Sequence, residues 1–588
     1  MPKFTPSLDD MQFIMHDFLK ITDHYQAMGF EDASDPELVN AILEESGKFA
    51  SEVLSPLNHP GDQTGCKWND GVVTTPNGFK EAYKQYCDAG WAALASSTEY
   101  GGQGLPYSLG LITSEMNVSA NTSWNMYPGL THGAIHALAH HGSGELKQQY
   151  LPNLINGIWT GTMCLTEAHC GSDLGMLRSK AEPQDDGSYN ITGTKIFISA
   201  GEHDMAENII HLVLARIPGS PQGSAGISLF LVPKILDVAT ANGATDNQVT
   251  CASIEHKMGI KASATAVLNF DDSKGYLIGE INKGLACMFT MMNSARLGTG
   301  LQGYGIAELS RQASLEYAKE RIQMRSLSGV KAPDKEADPI IVHPDVKRML
   351  LTQKALVEGC RALAYYTATL VDKVEYGHDP DGSADKILGL LTPICKAFMS
   401  EAGFECANHA VQVYGGHGYI VESEVEQMVR DARITMIYEG TNGIQSLDLL
   451  GRKVLRDRGE ALGLWVKEIK TGCATVDASL KQQADEVSAL CDEWLQLTGA
   501  VGAKVQGNMD EIGAAAFDFL MYSGYVTMAH LWLQQANASL NSSKDESFNE
   551  AKRQTMAFYF ARILPRVKTH KALILSGADN LECNDFEI

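Results

Sequence analysis

The sequence is poor in positive charge. Its 588 residues include 47 lysines and arginines against 71 aspartates and glutamates, which gives a net charge of −24 at pH 7. Nucleic acids and anionic membranes attract proteins with basic surfaces. The charge balance therefore argues against both as general partners. With 44% hydrophobic and 20% charged residues, the composition is that of a soluble globular enzyme.

Long apolar runs and paired cysteines are also missing. No run of 18 apolar residues predicts a membrane span, and the first ten residues lack the pattern of a signal peptide, so we expect a cytoplasmic protein. None of the 12 cysteines forms a Cys-x-x-Cys pair, and we expect neither a metal site nor a disulfide framework. His132, His136 and His140 share one face of a predicted helix, but no clustered acid or cysteine completes a set of metal ligands.

A regular alternation of strands and helices is missing as well, which excludes a doubly wound α/β fold. Helical periodicity dominates residues 1–158, short strands follow over 159–282, helices return over 283–455, and a last helical block covers 456–588. We expect an α+β fold that is mainly α. It comprises an N-terminal helical domain, a β-barrel domain, a domain like a four-helix bundle and an additional C-terminal helical domain.

The periodicities also give explicit element bounds. Predicted helices cover 36–53, 78–94, 285–325, 345–375 and 385–413, and predicted strands cover 193–199, 209–217, 226–232 and 264–270. The long helices are rich in small residues, which permit close packing in an antiparallel bundle.

One short run, 434–445, combines the residues that base chemistry requires. Glu439 follows an apolar stretch, where a carboxylate loses hydration and becomes a better base. Gly440 allows close approach of the backbone to a ligand, and the Thr441 hydroxyl can donate a hydrogen bond. Taken alone, the run equally fits the start of a helix with a threonine or asparagine cap.

Three other motifs are candidate ligand contacts. In 164–173, the hydroxyls of Thr166 and Ser172 flank a bend and can meet a polar ring edge, although an ordinary strand-to-turn corner has the same pattern. Arg321, near a predicted helix end, can reach a pyrophosphate or remain a solvated cation. The glycines of 412–419 end a helix and expose backbone amides, as a phosphate nest or a plain helix cap does.

The order of helical block, β insert and helical bundle, with these motifs in sequence, resembles the acyl-CoA dehydrogenase family over about residues 40–455. The run 164–173 looks like the family's first signature and 412–431 like its second. The tail beyond residue 456 looks like the extra helical domain of long members. The resemblance implies FAD-dependent oxidation of an acyl-CoA thioester to the trans-2-enoyl-CoA, an electron-transfer flavoprotein as electron acceptor, and a homodimer.

The resemblance also implies roles for individual residues. Glu439 would be the catalytic base, and Phe197 stands where the family usually has tryptophan. Implied FAD contacts are Met163, Leu165, Thr166, Ser172, Phe197, Ser199, Arg321, Gln412, Gly415, Gly416, Thr441 and Gly443. Implied substrate contacts are Ser172, Asn293, Arg296, Tyr438 and Gly440.

The sequence leaves several alternatives open. Acyl length depends on the depth of the pocket, so a short- to medium-chain fatty acyl-CoA is a possible substrate. A flavin oxidase or monooxygenase would use the same fold with oxygen as acceptor. A nucleic-acid-binding relative would require a basic face, which the acidic composition disfavours.

Overall fold

The computed structural model describes residues 3–236 and 245–582. Its helices are α1 Leu8–Gln12, α2 Ile21–Ala27, α3 Pro36–Lys48, α4 Ser55–Thr64, α5 Phe79–Asp88, α6 Tyr107–Ala120, α7 Thr122–His141, α8 Gly144–Ile155, α9 Gly284–Glu320, α10 Pro344–Glu375, α11 Ser383–Tyr414, α12 Val425–Arg433, α13 Asn442–Leu447, α14 Glu460–Ala474, α15 Lys481–Val505, α16 Asp510–Ser539, α17 Glu546–Phe558 and α18 Val567–Ser576. Its strands are β1 Lys67–Asn69, β2 Val72–Thr74, β3 Trp159–Cys164, β4 Lys180–Pro183, β5 Tyr189–Ser199, β6 Asn208–Ala215, β7 Ser228–Pro233, β8 Val249–Ile254 and β9 Thr265–Ile278.

The predicted fold class is confirmed, and every predicted helix or strand overlaps an observed one, although α3 and α5 end several residues before their predicted bounds. Helices α9, α10 and α11 begin and end within a few residues of their predicted bounds, and β5, β6, β7 and β9 overlap the four predicted strands. The periodicity did not predict β3, β4, β8 or the small β1–β2 hairpin, which lies in a region predicted as helical. The two hairpin strands have three residues each, too few to establish an alternating pattern.

The chain divides into two compact units. The first comprises Met1–Lys48, Pro106–Ser119 and Thr299–Ile588, and the second comprises Phe49–Leu105 and Ala120–Gly298.

The second unit is built on a mixed sheet. Its strand order is β3-β6-β7-β9-β5-β4, and β8 pairs with β9 outside this order. Only the β3–β6 ladder is parallel among the described strand pairs. Strand β6 is buried along its whole length, and its alternate residues enter two cores. Ile210 and Leu212 pack with α7 and α8, whereas Val213 packs with residues of β5 and β9.

The sheet is partly closed. The Thr162 hydroxyl on β3 donates to the Ser199 carbonyl oxygen on β5 over 2.8 Å. The Ile196 backbone N–H donates to the Thr166 carbonyl oxygen over 2.9 Å. Strands β3 and β5 are not neighbours in the strand order. Because these bonds connect them, the sheet is partly closed and approaches the predicted barrel.

The first unit is a helical bundle with very close backbone approach. A Cβ atom on Gly303 of α9 would lie 2.6 Å from the Met399 carbonyl oxygen of α11, and one on Gly403 would lie 2.3 Å from the Gly303 carbonyl oxygen. These glycines therefore allow the backbones of α9 and α11 to come into direct contact. Within the described chain, Ser383–Tyr419 is the one helical stretch long and apolar enough to cross a membrane, but 78% of its most apolar window is buried as core.

A buried ionic cluster connects five helices of the first unit. The Arg361 guanidinium of α10 lies 2.6 Å from the Glu115 carboxylate of α6 and 3.5 Å from that of Glu308 on α9. It also pairs with Asp10 of α1, which in turn pairs with Lys552 of α17. The side chains of Arg361 and Lys552 are each 1% exposed. Buried charges require such pairing because the alternative is an uncompensated charge away from water.

Lys552 tests the importance of this cluster for stability. We expect Lys552→Met to destabilise the protein by about 3–5 kcal/mol, because Asp10 and Glu358, 2.8 Å from Lys552, would lose a buried partner. Lys544→Met is the matched control. Lys544 pairs with the exposed Asp9 over 2.8 Å, and its loss should cost less than about 1 kcal/mol. Thermal and urea unfolding would measure both, and equal effects would contradict the prediction.

Candidate active site

Glu439 lies in a tight turn with an unusual backbone. The turn follows α12 and the 3₁₀ segment Ile434–Met436. Glu439 has φ 57° and Gly440 has φ 81°, so two consecutive residues are in the left-handed region. A non-glycine residue there costs of order 1 kcal/mol or more and persists only where its surroundings hold it. The Gln445 side-chain amide holds the turn by donating to the Glu439 carbonyl oxygen over 3.1 Å.

Residues after the turn are fixed to the bundle. The Thr441 hydroxyl caps α13 by accepting from the Ile444 N–H over 3.2 Å. Asn442 is buried, and its side-chain oxygen accepts from Lys396 of α11 over 2.9 Å. Its side-chain nitrogen donates to Glu401 of α11, also over 2.9 Å. The predicted threonine cap is therefore present, but no local sequence pattern indicates the role of Lys396, which is fully buried.

The neighbouring predicted substrate contact, Tyr438, is oriented by a hydrogen bond. Burial raises the pKa of Tyr438, so its hydroxyl keeps its proton at neutral pH. The hydroxyl donates to the Gln302 side chain of α9. Gly443 is exposed in the first turn of α13, with only the Thr441 hydroxyl close to where its Cβ would lie.

The other candidate segments lie in the second unit, at the ends of β3 and β5. The hydroxyls of Thr166 and Ser199 form no hydrogen bond with any residue in the described ranges, so both are available to a ligand. Phe197 has φ 59°, and 59% of its surface is exposed. Met163 and Leu165 are half-buried beside them. An exposed aromatic ring next to two unused hydroxyls fits a flat polar ring such as isoalloxazine.

A buried ion pair supports these segments. Lys195 of β5 is fully buried, and its ammonium lies 2.9 Å from the Glu167 carboxylate. Burial alone would raise the pKa of Glu167, but Lys195 and hydrogen bonds from Ser179 and the Arg178 N–H outweigh it, and the pKa is lowered to about 2. The ligand atoms of Glu167, His169 and Cys170 lie within 4.8 Å of one another. Because Glu167 is already saturated, this group is better explained by the ion pair than by a metal.

The predicted acyl-CoA contacts of this unit are only partly brought together. The Arg296 guanidinium of α9 is buried, donates to the Asn293 side chain over 3.3 Å, and lies 5.7 Å from the Phe289 ring centroid. Ser172 lies in an exposed bend and forms no hydrogen bond with the described part of the chain.

The predicted pyrophosphate contacts lie at one end of the bundle in the first unit. Arg321 is exposed just beyond α9 and forms no ion pair with the described residues. Gln412 is exposed on the last turn of α11, followed by Gly415 and Gly416, and no atom lies within 4 Å of a Cβ on either glycine. Tyr317 connects the two helix ends by stacking on Tyr414, with ring centroids 4.0 Å apart. An arginine beside open backbone fits a phosphate group.

Comparison with known proteins identifies the family. Sequence models of the acyl-CoA dehydrogenase N-terminal, middle and C-terminal domains match residues 39–158, 162–273 and 282–455, and the model "Acetyl-CoA dehydrogenase C-terminal like" matches 465–582. A 3-methylmercaptopropionyl-CoA dehydrogenase of Ruegeria pomeroyi is 42% identical over 95% of this chain and 96% of its own length. A butyryl-CoA dehydrogenase of Syntrophomonas wolfei is 34% identical over 95% and 94%.

A solved structure shares the fold. The acyl-CoA dehydrogenase of Bacillus anthracis, complexed with FAD, superposes with a TM-score of 0.75 at 22% identity and covers 92% of this chain and 89% of its own. The matched family models and the relatives above 30% identity define an FAD-dependent oxidoreductase. The chain belongs to the acyl-CoA dehydrogenase family, and its reaction is the α,β-dehydrogenation of an acyl-CoA thioester.

Gly440 provides a test of the Glu439 turn. A Cβ on Gly440 would lie 2.6 Å from the Gln445 side-chain nitrogen, in a backbone conformation that alanine disfavours. We expect Gly440→Ala to destabilise the protein by about 1–2 kcal/mol. Gly463→Ala is the control, because α14 has room for a methyl group there, and it should stabilise by up to about 1 kcal/mol. Calorimetric unfolding that moved both variants in the same direction would contradict the prediction.

Proposed function

We propose that Glu439 is the catalytic base. The observation that carries this proposal is the conformation of the turn: the half-buried Glu439 has a strained backbone, its carbonyl oxygen accepts from Gln445, and the nearby Asn442 is bonded to α11. Strained backbone is concentrated at functional sites because function requires a geometry that packing alone does not favour. In our proposal the Glu439 carboxylate removes the α-proton of the acyl chain.

The remaining residues orient the reactants and stabilise charge. FAD, when bound, accepts the hydride from the β-carbon. We assign the ring contacts to Thr166, Phe197 and Ser199, and the backbone N–H of Glu439 to the thioester oxygen. Negative charge grows on that oxygen as the α-proton leaves, so a donor already in place lowers the barrier. We assign Arg296 and Asn293 to the acyl-CoA, and Arg321 with Gly415 and Gly416 to the pyrophosphate.

Glu439→Gln tests the proposed base. We expect the variant to keep its FAD but to lose the rate of flavin bleaching by acyl-CoA by at least about 1,000-fold, because both the base and its alignment are lost. Glu424→Gln is a matched control, since Glu424 is a second glutamate with positive φ, at 64°. It should bleach at the wild-type rate. Near-normal reduction in Glu439→Gln would refute the assignment.

We propose 3-methylmercaptopropionyl-CoA as the substrate, converted to methylthioacryloyl-CoA. The support is the relative from Ruegeria pomeroyi, which is aligned along nearly its whole length at 42% identity. Butyryl-CoA is the second candidate, because the enzyme of Syntrophomonas wolfei covers the chain equally at 34%.

A panel of thioesters distinguishes these candidates. We expect kcat/KM for 3-methylmercaptopropionyl-CoA to exceed that for butyryl-CoA by about 10-fold or more, since one chain atom filling an apolar pocket contributes about 1–3 kcal/mol. Pentanoyl-CoA, in which a methylene replaces the sulfur, is the matched control for size. A preference for butyryl-CoA or for a long chain would overturn the substrate proposal and leave the reaction class intact.

We also propose that the enzyme is a homodimer. Apolar side chains are exposed near the C-terminal ends of α9 and α11, where water contact is unfavourable: Met324 at 74%, Leu327 at 93%, Val330 at 54%, Tyr419 at 87%, Ile420 at 47% and Val421 at 46%. Sedimentation should give twice the 63.8 kDa chain mass. Leu327→Asp with Tyr419→Asp should give monomers, whereas Leu573→Asp, on α18, should not. A monomeric wild type would refute the dimer.

The location, the domain organisation and the electron acceptor of the enzyme are also proposed. We propose that it acts in the cytoplasm through four domains, 1–158, 159–282, 283–455 and 456–588, and passes electrons to an electron-transfer flavoprotein. Rapid reoxidation of the reduced enzyme by that protein, and slow reoxidation by oxygen, would support the partner. The opposite order would indicate an oxidase. Cell fractionation would test the location.

A further inference from the structure

Two segments carry the side chains that we propose to face the flavin ring. Residues 163–166 end β3 and continue beyond it, and residues 197–199 end β5. The Ile196 N–H donates to the Thr166 carbonyl oxygen over 2.9 Å. The first flavin-facing segment is therefore joined by a backbone hydrogen bond to the residue that directly precedes the second.

Lys195 lies behind both segments. Its side chain is 0% exposed. The ammonium donates to the Leu165 carbonyl oxygen over 3.0 Å and to the Glu167 carboxylate over 2.9 Å. Leu165 and Glu167 are the two neighbours of Thr166 in sequence. A lysine two residues before the second segment thus holds the first segment on either side of its candidate ring contact.

Glu167 is itself fixed by a complete set of donors. One carboxylate oxygen accepts from the Arg178 N–H over 2.7 Å. The other accepts from the Ser179 N–H over 3.0 Å and from the Ser179 hydroxyl over 2.6 Å, in addition to Lys195. With this set of donors the pair is a rigid part of the sheet and not a surface contact.

A bulge in β5 explains why Lys195 and Phe197 point in opposite directions. The register with β9 shifts between Lys195 and Ile198, and Phe197 has positive φ. In a regular strand Lys195 and Phe197 would share a face. The bulge places the ammonium in the interior and leaves the aromatic ring exposed, and bulges commonly redirect side chains in this way beside active sites.

We propose that Lys195, through its buried pair with Glu167, is a positioning residue that holds the two flavin-facing segments in one fixed arrangement. This inference rests on the proposed function, which makes those segments the ring site. Lys195 does not itself touch the reacting atoms. Its effect is to keep Thr166 and Phe197 in place before FAD binds, so that little order has to be gained on binding.

The test compares Lys195→Met with the double variant Lys195→Met/Glu167→Gln. Methionine fills a similar volume without charge. The double variant also leaves no unpaired buried charge, so we expect it to fold even if the single variant unfolds. Lys274→Met is the control, because Lys274 pairs with Asp186 at the far, exposed end of the same sheet. Two quantities are measured: the Kd of FAD for the apoprotein, and amide hydrogen exchange of apoprotein peptides covering the two segments.

We expect both Lys195 variants to bind FAD at least 10-fold more weakly than the wild type and to exchange at least 10-fold faster in both segments. The double variant should regain the thermal midpoint of the wild-type apoprotein while keeping the weak FAD binding and fast exchange. Lys274→Met should match the wild type in every measurement. If the double variant had the wild-type Kd for FAD and the wild-type rate of amide exchange, the inference would be overturned, because Lys195 would then serve only to neutralise Glu167.

Failure of the proposed function gives a different result. A wild-type protein that binds FAD but is not bleached by any acyl-CoA would refute the dehydrogenase chemistry, while the exchange and Kd comparisons would still decide the role of Lys195. Conversely, normal bleaching together with unchanged exchange in the Lys195 variants would refute the inference alone.

Discussion

The requirement that a buried charge find its partner inside the protein organises this molecule. Arg361 meets it in the first unit by joining carboxylates from α1, α6 and α9. Next to the Glu439 turn, the buried Lys396 ammonium donates a hydrogen bond to the Asn442 side chain. Lys195 meets it in the second unit with Glu167. Each cation fixes backbone segments that are distant in sequence, because a misplaced segment would leave a charge without a partner in a medium that solvates it poorly.

The two non-glycine candidate site residues with positive φ each lie in a segment that one of these cations holds. Glu439 and Phe197 both have positive φ, which is unfavourable for a residue with a side chain. Asn442 and Lys396 hold the segment after Glu439, and Lys195 with Glu167 holds the strand before Phe197. Strain of this kind persists only where neighbouring contacts over-determine the conformation. The same contacts fix the backbone from which the carboxylate and the aromatic ring project, which favours a reaction between oriented groups.

The sequence was informative wherever a local pattern decides the structure. Helices α9 to α11 and four strands followed from periodicity, and the threonine cap at Thr441 followed from residue type. Lys195 could not be found in this way, because alternation along β5 puts it on one face with Phe197 and only the bulge separates them. Lys396 lies 46 residues from Asn442, and no local pattern pairs two residues at that separation.

Charge also explains how an acidic chain can bind a coenzyme that carries phosphates. With a net charge of −24, the protein does not attract polyanions over long distances. Affinity must therefore come from a few placed cations and from apolar contacts. Arg296 has the features of such a cation, since it is buried against Phe289 and oriented by Asn293, so little side-chain freedom remains to be lost on binding. Arg321 is exposed instead, so the phosphate contact proposed for it would cost side-chain entropy.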